Sequence, residues 1–353
     1  MSMTDSGSRP ATRDEVDFDP AALQAFLMKT FGGADGPLRL NRISGGQSNP
    51  TYFVDYGRRR LVLRKKPGGT ILKGAHAIER EYRVLKALAP TDVPVPGALL
   101  LHEDPDLLGT PFYLMERLDG RVFSDCSLPG ITPGERREIY MAMAETLAKL
   151  HRVDPEKIGL GDYGRPGNYF ERQLARWSQQ LRQSESPPIP ELYELMDWLG
   201  RNMPPNDGRA SLAHGDFRLG NLMFHPNEPR IIGVLDWELS TLGHPLADLG
   251  FCCMPWHTSP TEYGGILGLD TNKMGIPDEK DFIACYFTEA GGESTLLPFH
   301  IAFALFRFAV IFVGIADRAL TGTAADANAE MLAPLAERFA VRALEVISGR
   351  HAL

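Results

Sequence analysis

The chain of 353 residues carries a formal net charge of −8, with 43% hydrophobic and 23% charged residues, which is the make-up of a folded globular protein and excludes disorder over most of its length. A single hydrophobic core stops growing at about 250–300 residues, so the length implies two lobes. The acidic balance gives no global attraction to phosphate backbones or anionic lipid, so neither nucleic acid nor a membrane is expected as a partner and an anionic ligand must meet a local basic site.

The first residues, MSMTDSGSRPATRDE, are polar and lack the apolar core of a secretory signal, and residues 1–17 are expected as a loose tail. Asp19-Pro20 pairs a cap residue with proline at the first helical position, and Leu23, Phe26, Leu27 and Phe31 share one face, so a helix is expected up to Gly32-Gly33. Three extended runs follow, Leu38 to Ile43, Thr51 to Tyr56 and Arg60 to Lys65, separated by a glycine-rich stretch and by Gly57. A helix from His76 to Leu88 places Ile78, Tyr82, Leu85 and Leu88 on one face before Pro90 stops it, and two more strands are read at Ala98 to His102 and Pro111 to Leu118. The order βββαββ implies a five-stranded antiparallel sheet with one main helix, an N-lobe over residues 18–119.

Thr132-Pro133-Gly134-Glu135 is a capping-box sequence opening a long amphipathic pattern through Leu150, and residues 120–353 are expected as a mostly helical C-lobe. Further helices are read at Tyr169 to Gln183 and Pro190 to Asn202, with two short strands at Asn221 to Phe224 and Arg230 to Leu235. The apolar stretch from Ile301 to Ile315 contains Arg307 and is too short to span about 30 Å of hydrocarbon, so it reads as a buried helix. The class is α+β. Four cysteines (Cys126, Cys252, Cys253, Cys285) show no C-x-x-C spacing, which points to buried thiols and a cytoplasmic location.

Phosphoryl transfer needs a base for the acceptor hydroxyl, metal ligands for the triphosphate, and positive charge where negative charge spreads. The segment His214-Gly215-Asp216-Phe217-Arg218-Leu219-Gly220-Asn221 has the H-x-D-x-x-x-x-N spacing of a kinase catalytic loop, with Asp216 as base and Asn221 as metal ligand. Fifteen residues on, the apolar run Ile231 to Leu235 delivers Asp236, the second metal candidate, followed by Trp237-Glu238 where protein kinases have Phe-Gly. Arg218 is a candidate for stabilising transition-state charge. Upstream, Ser44-Gly45-Gly46-Gln47-Ser48-Asn49 lies between two strands, where backbone N–H groups of Gly45, Gly46, Ser48 and Asn49 can approach phosphate oxygens.

These motifs, HGDFRLGN, then VLDWE, then GHPLADL, resemble the aminoglycoside phosphotransferase and choline kinase family. The closer likeness is to the kinase-like domain fused ahead of acyl-CoA dehydrogenases (family members 10 and 11), whose pattern is similar to VLRKKPGG, AHAIEREYRVLKAL, GTPFYLMERLDG, HGDFRLGNLMFHP and VLDWELSTLGHPLADLG, from about residue 40 to about residue 255. The resemblance implies a bilobal protein-kinase-like fold, ATP and Mg2+ as cofactors, and a small-molecule hydroxyl as acceptor. It sets Arg64 where kinases carry the phosphate-binding lysine, with Lys65 and Lys66 as alternatives and only Lys66 sharing its face. It favours Glu81 over Glu79 as the partner acid, gives adenine the backbone of Glu116 and Leu118, and makes Asp248 a buried tie between catalytic segments. No A-P-E motif follows Asp236, so a protein substrate is not expected. A hydroxyacyl-CoA or hydroxy acid is the expected acceptor, with an aminoglycoside or choline-type alcohol as the alternative and a silent nucleotide-binding scaffold as the non-enzymatic reading. With no dehydrogenase domain following, a stand-alone kinase is expected.

Overall fold

A computed structural model describes residues 16–33, 36–43, 49–68, 77–165, 167–292, 295–320 and 332–349. The chain divides into two compact units: the first holds the residues up to Arg121 with Met223–Pro226 and Ile232–Glu238, and the second holds Val122–Leu222, Asn227–Ile231 and the residues from Leu239 on.

In the first unit, α1 (Pro20–Phe31) starts where the Asp19 carboxylate accepts the Ala21 N–H, and it ends at Gly32, whose φ of +85° a side chain would resist. Five strands follow: β1 (Arg39–Arg42), β2 (Thr51–Tyr56), β3 (Arg59–Lys65), β4 (Ala98–His102) and β5 (Phe112–Glu116). They form one sheet in the order β1-β2-β3-β5-β4 with every neighbouring pair antiparallel. Alternation along β2 sends Tyr52, Val54 and Tyr56 inward, where they pack with Leu61, Leu63 and Leu114 against Leu23 and Leu27 of α1. Burying each such side chain contributes about 1.5–3 kcal/mol.

Helix α2 (Ile78–Leu88) contacts β4 and β5 through Ile78, Val84, Leu85 and Leu88. The expected apolar stripe ran through Tyr82, which is only half-buried, while the charged neighbour Glu81 is 1% exposed. A carboxylate displaces an aromatic from the inner face of a helix only where partners await it, and these are described below.

In the second unit, Thr132 Oγ1 accepts the Glu135 N–H and Pro133 fills the first helical position, which starts α3 (Pro133–Arg152) where the capping sequence put it. Helices α4 (Tyr169–Arg182) and α5 (Pro190–Arg201) follow. Two three-residue strands absent from the sequence reading, β6 (Ser211–Ala213) and β9 (Thr241–Gly243), pair antiparallel and bracket the catalytic-loop segment. β7 (Leu222–Phe224) and β8 (Ile231–Val234), which fall mostly in the first unit, pair with each other. The remainder is helical: α6 (Pro245–His257), the short α7 (Thr271–Met274), α8 (Glu279–Ala290), α9 (Pro298–Leu320) and α10 (Leu335–Ile347).

Helix α9 runs longer than the stretch read from sequence. By length and composition it could cross a membrane, but 72% of its most apolar window is buried within the chain, against α4, α5, α6 and α10. Ala302, Leu305, Phe306, Ala309 and Val310 along it are at most 2% exposed, the pattern of a core helix.

Candidate active site

In the first unit, the alternation along β3 decides among three adjacent cations. Lys65 turns to the inner face, where it is 1% exposed and donates to Asp17 Oδ2 at 2.9 Å and to the Leu108 carbonyl at 3.1 Å. Lys66 pairs with Glu79 at 2.9 Å. Of the three, Arg64 is the one that pairs with Glu81, Asp236 and Glu238. Its Nη2 lies 2.8 Å from Asp236 Oδ1 and 3.6 Å from Glu238 Oε2, and its Nε lies 3.0 Å from Glu81 Oε2, an ion pair without aligned hydrogen-bond geometry.

Glu81 has more partners. Its Oε1 accepts from Asn49 Nδ2 at 3.0 Å and its Oε2 from the Tyr113 hydroxyl at 3.0 Å. Burial pushes the Glu81 carboxyl up to about 7, with Arg64 pulling against it, while the surrounding acids raise the Arg64 guanidinium above its ordinary value against the opposing effect of burial. The ionised carboxylate accepts from both Asn49 Nδ2 and the Tyr113 hydroxyl, while Arg64 Nε pairs with it by charge alone. Asn49 thus serves Glu81 through its amide, and its Oδ1 meets no donor among the described residues. Gly45, Gly46 and Ser48 lie outside the described residues.

Asp236 stands at the end of β8 with φ +65°, a left-handed conformation that costs a non-glycine residue about 1–3 kcal/mol. The strand is pinned on both sides of this bend, by the Val234 N–H on the Pro94 carbonyl at 2.8 Å and by Trp237, 1% exposed, whose indole donates to the Val234 carbonyl at 3.0 Å. Glu81, Asp236 and Glu238 each bring an oxygen within 4.8 Å of the others. Glu238 is a member the sequence reading passed over as a departure from Asp-Phe-Gly.

At the end of β5, the Glu116 N–H is spent on the Gly97 carbonyl at 2.8 Å, which removes it as a donor to a ligand. The Leu118 N–H has no partner among the described residues.

In the second unit, the catalytic-loop segment is held by its backbone. Asp248, 2% exposed in the first turn of α6, accepts the His214 N–H at 2.6 Å and the Gly215 N–H at 2.9 Å. From α9, Arg307 donates to the Gly215 carbonyl at 2.6 Å. Gly215 itself needs φ +83°, and a Cβ there would lie 2.7 Å from the Leu239 carbonyl oxygen, so no other residue fits. Burial opposes ionisation of Asp248, but His151, with Nε2 at 3.4 Å, and the loop N–H groups outweigh it and hold the carboxyl below its usual range. His151 is in turn fixed by the Tyr286 hydroxyl at 2.7 Å. Sequence spacing revealed neither His151 nor Arg307 as part of this scaffold, although an arginine in so apolar a helix was a signal.

The held loop presents Asp216 with its two oxygens in different states. Oδ2 accepts from Asn221 Nδ2 at 2.8 Å and from Arg218 Nε at 3.3 Å, and Asn221 Nδ2 also reaches the Asp216 carbonyl at 2.9 Å. Oδ1 has no partner among the described residues, and the side chain is 21% exposed. Asn221 is 6% exposed.

A strand-end carboxylate, an arginine–glutamate pair beside it and an ordered H-x-D-x-x-x-x-N loop are the parts of a kinase-like phosphotransferase. The profile of the phosphotransferase enzyme family matches residues 39–271. The crystal structure of a candidate aminoglycoside phosphotransferase from Ralstonia eutropha is 46% identical, with a TM-score of 0.85 and coverage of 94% of this chain and 98% of that one. That of a thermostable mutant of aminoglycoside phosphotransferase APH(4)-Ia, a ternary complex with ADP and hygromycin B, is similar in fold alone, at 15% identity and a TM-score of 0.61 over 92% of this chain and 98% of that one.

The chain belongs to the phosphotransferase enzyme family. Mouse acyl-CoA dehydrogenase family member 10 is 43% identical over 329 residues, 90% of this chain and 30% of that protein. Human acyl-CoA dehydrogenase family member 11 is 39% identical over 331 residues, 91% of this chain and 42% of that protein. The chain therefore spans less than half the length of these relatives.

Proposed function

We propose that the chain transfers the γ-phosphoryl group of ATP, with Mg2+, to the hydroxyl of a hydroxy acid or hydroxyacyl-CoA, with Asp216 as the base. The observation that carries the base assignment is the asymmetry of Asp216. Asn221 and Arg218 fix one oxygen, and the other is left to accept a proton. The acceptor oxygen forms its bond to the γ-phosphorus as the bond to the β-phosphate oxygen breaks, ADP leaves, and the hydroxyl proton passes to Asp216 Oδ1.

The donor sets suit the metal. Asp236 and Glu238 offer hard carboxylate oxygens, and Asn221, with its Nδ2 spent on Asp216, retains Oδ1. Mg2+, when bound, neutralises charge on the phosphates. Arg64 pairs the phosphates while Glu81 fixes its direction, and Arg218 faces the charge that spreads during transfer. The acceptor class is supported by the names of the relatives, and the four unpaired thiols fit a cytoplasmic location.

The test is γ-labelled ATP with hydroxyacyl-CoAs, hydroxy acids, choline and aminoglycosides as acceptors. Transfer to acyl acceptors, lost in Asp216→Asn, is expected. Transfer to aminoglycosides alone would overturn the acceptor class, and no transfer to any acceptor with ADP still bound would favour a silent scaffold.

A further inference from the structure

The second unit contains a cavity of about 370 Å³, within the range of about 300–1,000 Å³ that small-molecule sites occupy. One side is formed by Phe217, Arg218, Leu219 and Gly220, the residues directly after Asp216. The opposite surfaces are apolar side chains from four helices, among them Met143 of α3, Met254 of α6, Phe308 of α9 and Phe339 of α10.

The charged groups lining it, Arg218 and Glu262, are both engaged. Arg218 meets Asp216, and Glu262, 5% exposed, accepts Arg342 Nε at 2.9 Å and Nη2 at 3.0 Å on its two oxygens, with the Ser259 N–H on Oε2 at 2.8 Å. A polycation therefore finds no uncommitted carboxylate among these residues, whereas an aliphatic chain would exclude water from an apolar surface.

The wall around Glu262 is a built turn. Tyr263 is held at φ +65°, Gly264 follows at φ +78°, and a Cβ on Gly265 would lie 1.9 Å from the Thr258 carbonyl oxygen. The Tyr263 ring meets Phe308 at 5.2 Å and Phe312 at 5.5 Å edge-on, which continues the aromatic lining. Arg342 is the one side chain outside the turn that grips both oxygens of its carboxylate among the described residues.

We propose that this cavity holds the apolar chain of the acceptor, and that Arg342, by fixing Glu262 and the turn that carries Tyr263, sets the length of chain accepted. The assignment rests on the phosphotransferase reading above and deepens it. Arg342 is a positioning residue.

The experiment compares the wild type with Met254→Ala, Ser124→Trp and Arg342→Met on a series of hydroxy acids and their CoA thioesters of increasing chain length. Binding of cis-parinaric acid, a fluorescent fatty acid, is measured in parallel, and ADP affinity serves as the check on folding. Met254→Ala enlarges the cavity and shifts the preferred acceptor to longer chains. Ser124→Trp places bulk at an exposed lining position, lowers kcat/KM for long chains about tenfold and weakens parinaric acid binding. Arg342→Met flattens the length preference, chiefly through KM. Transfer to acceptors with unchanged length profiles and no parinaric acid binding would overturn the cavity assignment alone. Parinaric acid binding that Ser124→Trp weakens, without transfer to any acceptor, would sink the phosphotransferase reading and leave the cavity as an apolar ligand site.

Discussion

The Arg64 cluster of the first unit and the Asp216 loop of the second are both built around a buried carboxylate, yet the two acids do opposite work. Glu81 answers side chains: Arg64, Asn49 and Tyr113 converge on it, and the assembly fixes the direction of one cation. Asp248 answers backbone: it accepts two successive N–H groups and so fixes the path of a loop. A side-chain cluster can lose a member and regroup, because the strands beneath it keep their own hydrogen bonds. A loop without a ladder of its own has no such reserve.

That difference orders the consequences of mutation. Asp216→Ala, which leaves the Asp248 contacts to the loop backbone in place but removes the proposed base, is expected to lower kcat by about 10²–10⁴-fold with little change in ADP affinity. A loss under tenfold would mean that the proton leaves by another route. Asp248→Ala strands two buried N–H groups and the His151 edge, and removing one partner of such a buried network costs about 3–5 kcal/mol. Denaturant unfolding should show that loss together with a fall in kcat, and a stability within 1 kcal/mol of the wild type, a threshold of about RT-scale significance, would contradict the role given to Asp248. Arg64→Lys keeps a charge but loses the fork that spans Glu81 and Asp236, so a rise of about 10-fold in KM for ATP is expected, with folding stability nearly unchanged. Wild-type kinetics in Arg64→Lys would show that the fork geometry is dispensable.

The same difference explains what could be read from the sequence. The Asp216 loop was legible because its chemistry is local: base, arginine and asparagine sit within six residues, and their spacing survives without knowledge of the fold. Asp236 was legible because an apolar run announced a strand that ended on an acid. The five-stranded sheet was legible from alternation and turn residues, whereas β6 and β9, at three residues each, are too short to carry a period. Choosing Arg64 over its lysine neighbours needed the partners that the strand faces, and alternation alone kept Lys66 in contention. The inward turn of Glu81 was hidden because hydrophobic periodicity ranks Tyr82 above any carboxylate. His151 and Arg307 act on the loop from helices far away in sequence, and only tertiary contact reveals them.

The smallest effect separates a buried group with an architectural role from one with a catalytic role. His300, at the start of α9, is 2% exposed, and its Nδ1 accepts the Leu297 N–H at 2.9 Å, which fixes the ring as a neutral tautomer. Burial, with His244 and Arg209 adding to it and Asp207 opposing, pushes the imidazole down to about 4. In the unfolded chain the same ring titrates near its ordinary 6.5. Between pH 6.5 and 4 the unfolded state therefore binds more protons than the folded state, and stability falls as the solution is acidified through that window. The full difference corresponds to about 3 kcal/mol at the acid end. His300→Gln retains an acceptor for the Leu297 N–H and removes the titration, so its melting temperature should fall less steeply than that of the wild type from pH 6.5 to 4, while the two proteins differ little at pH 8. Parallel slopes would show that His300 takes up its proton without opening the fold, and the acid sensitivity of the second unit would then belong to other groups.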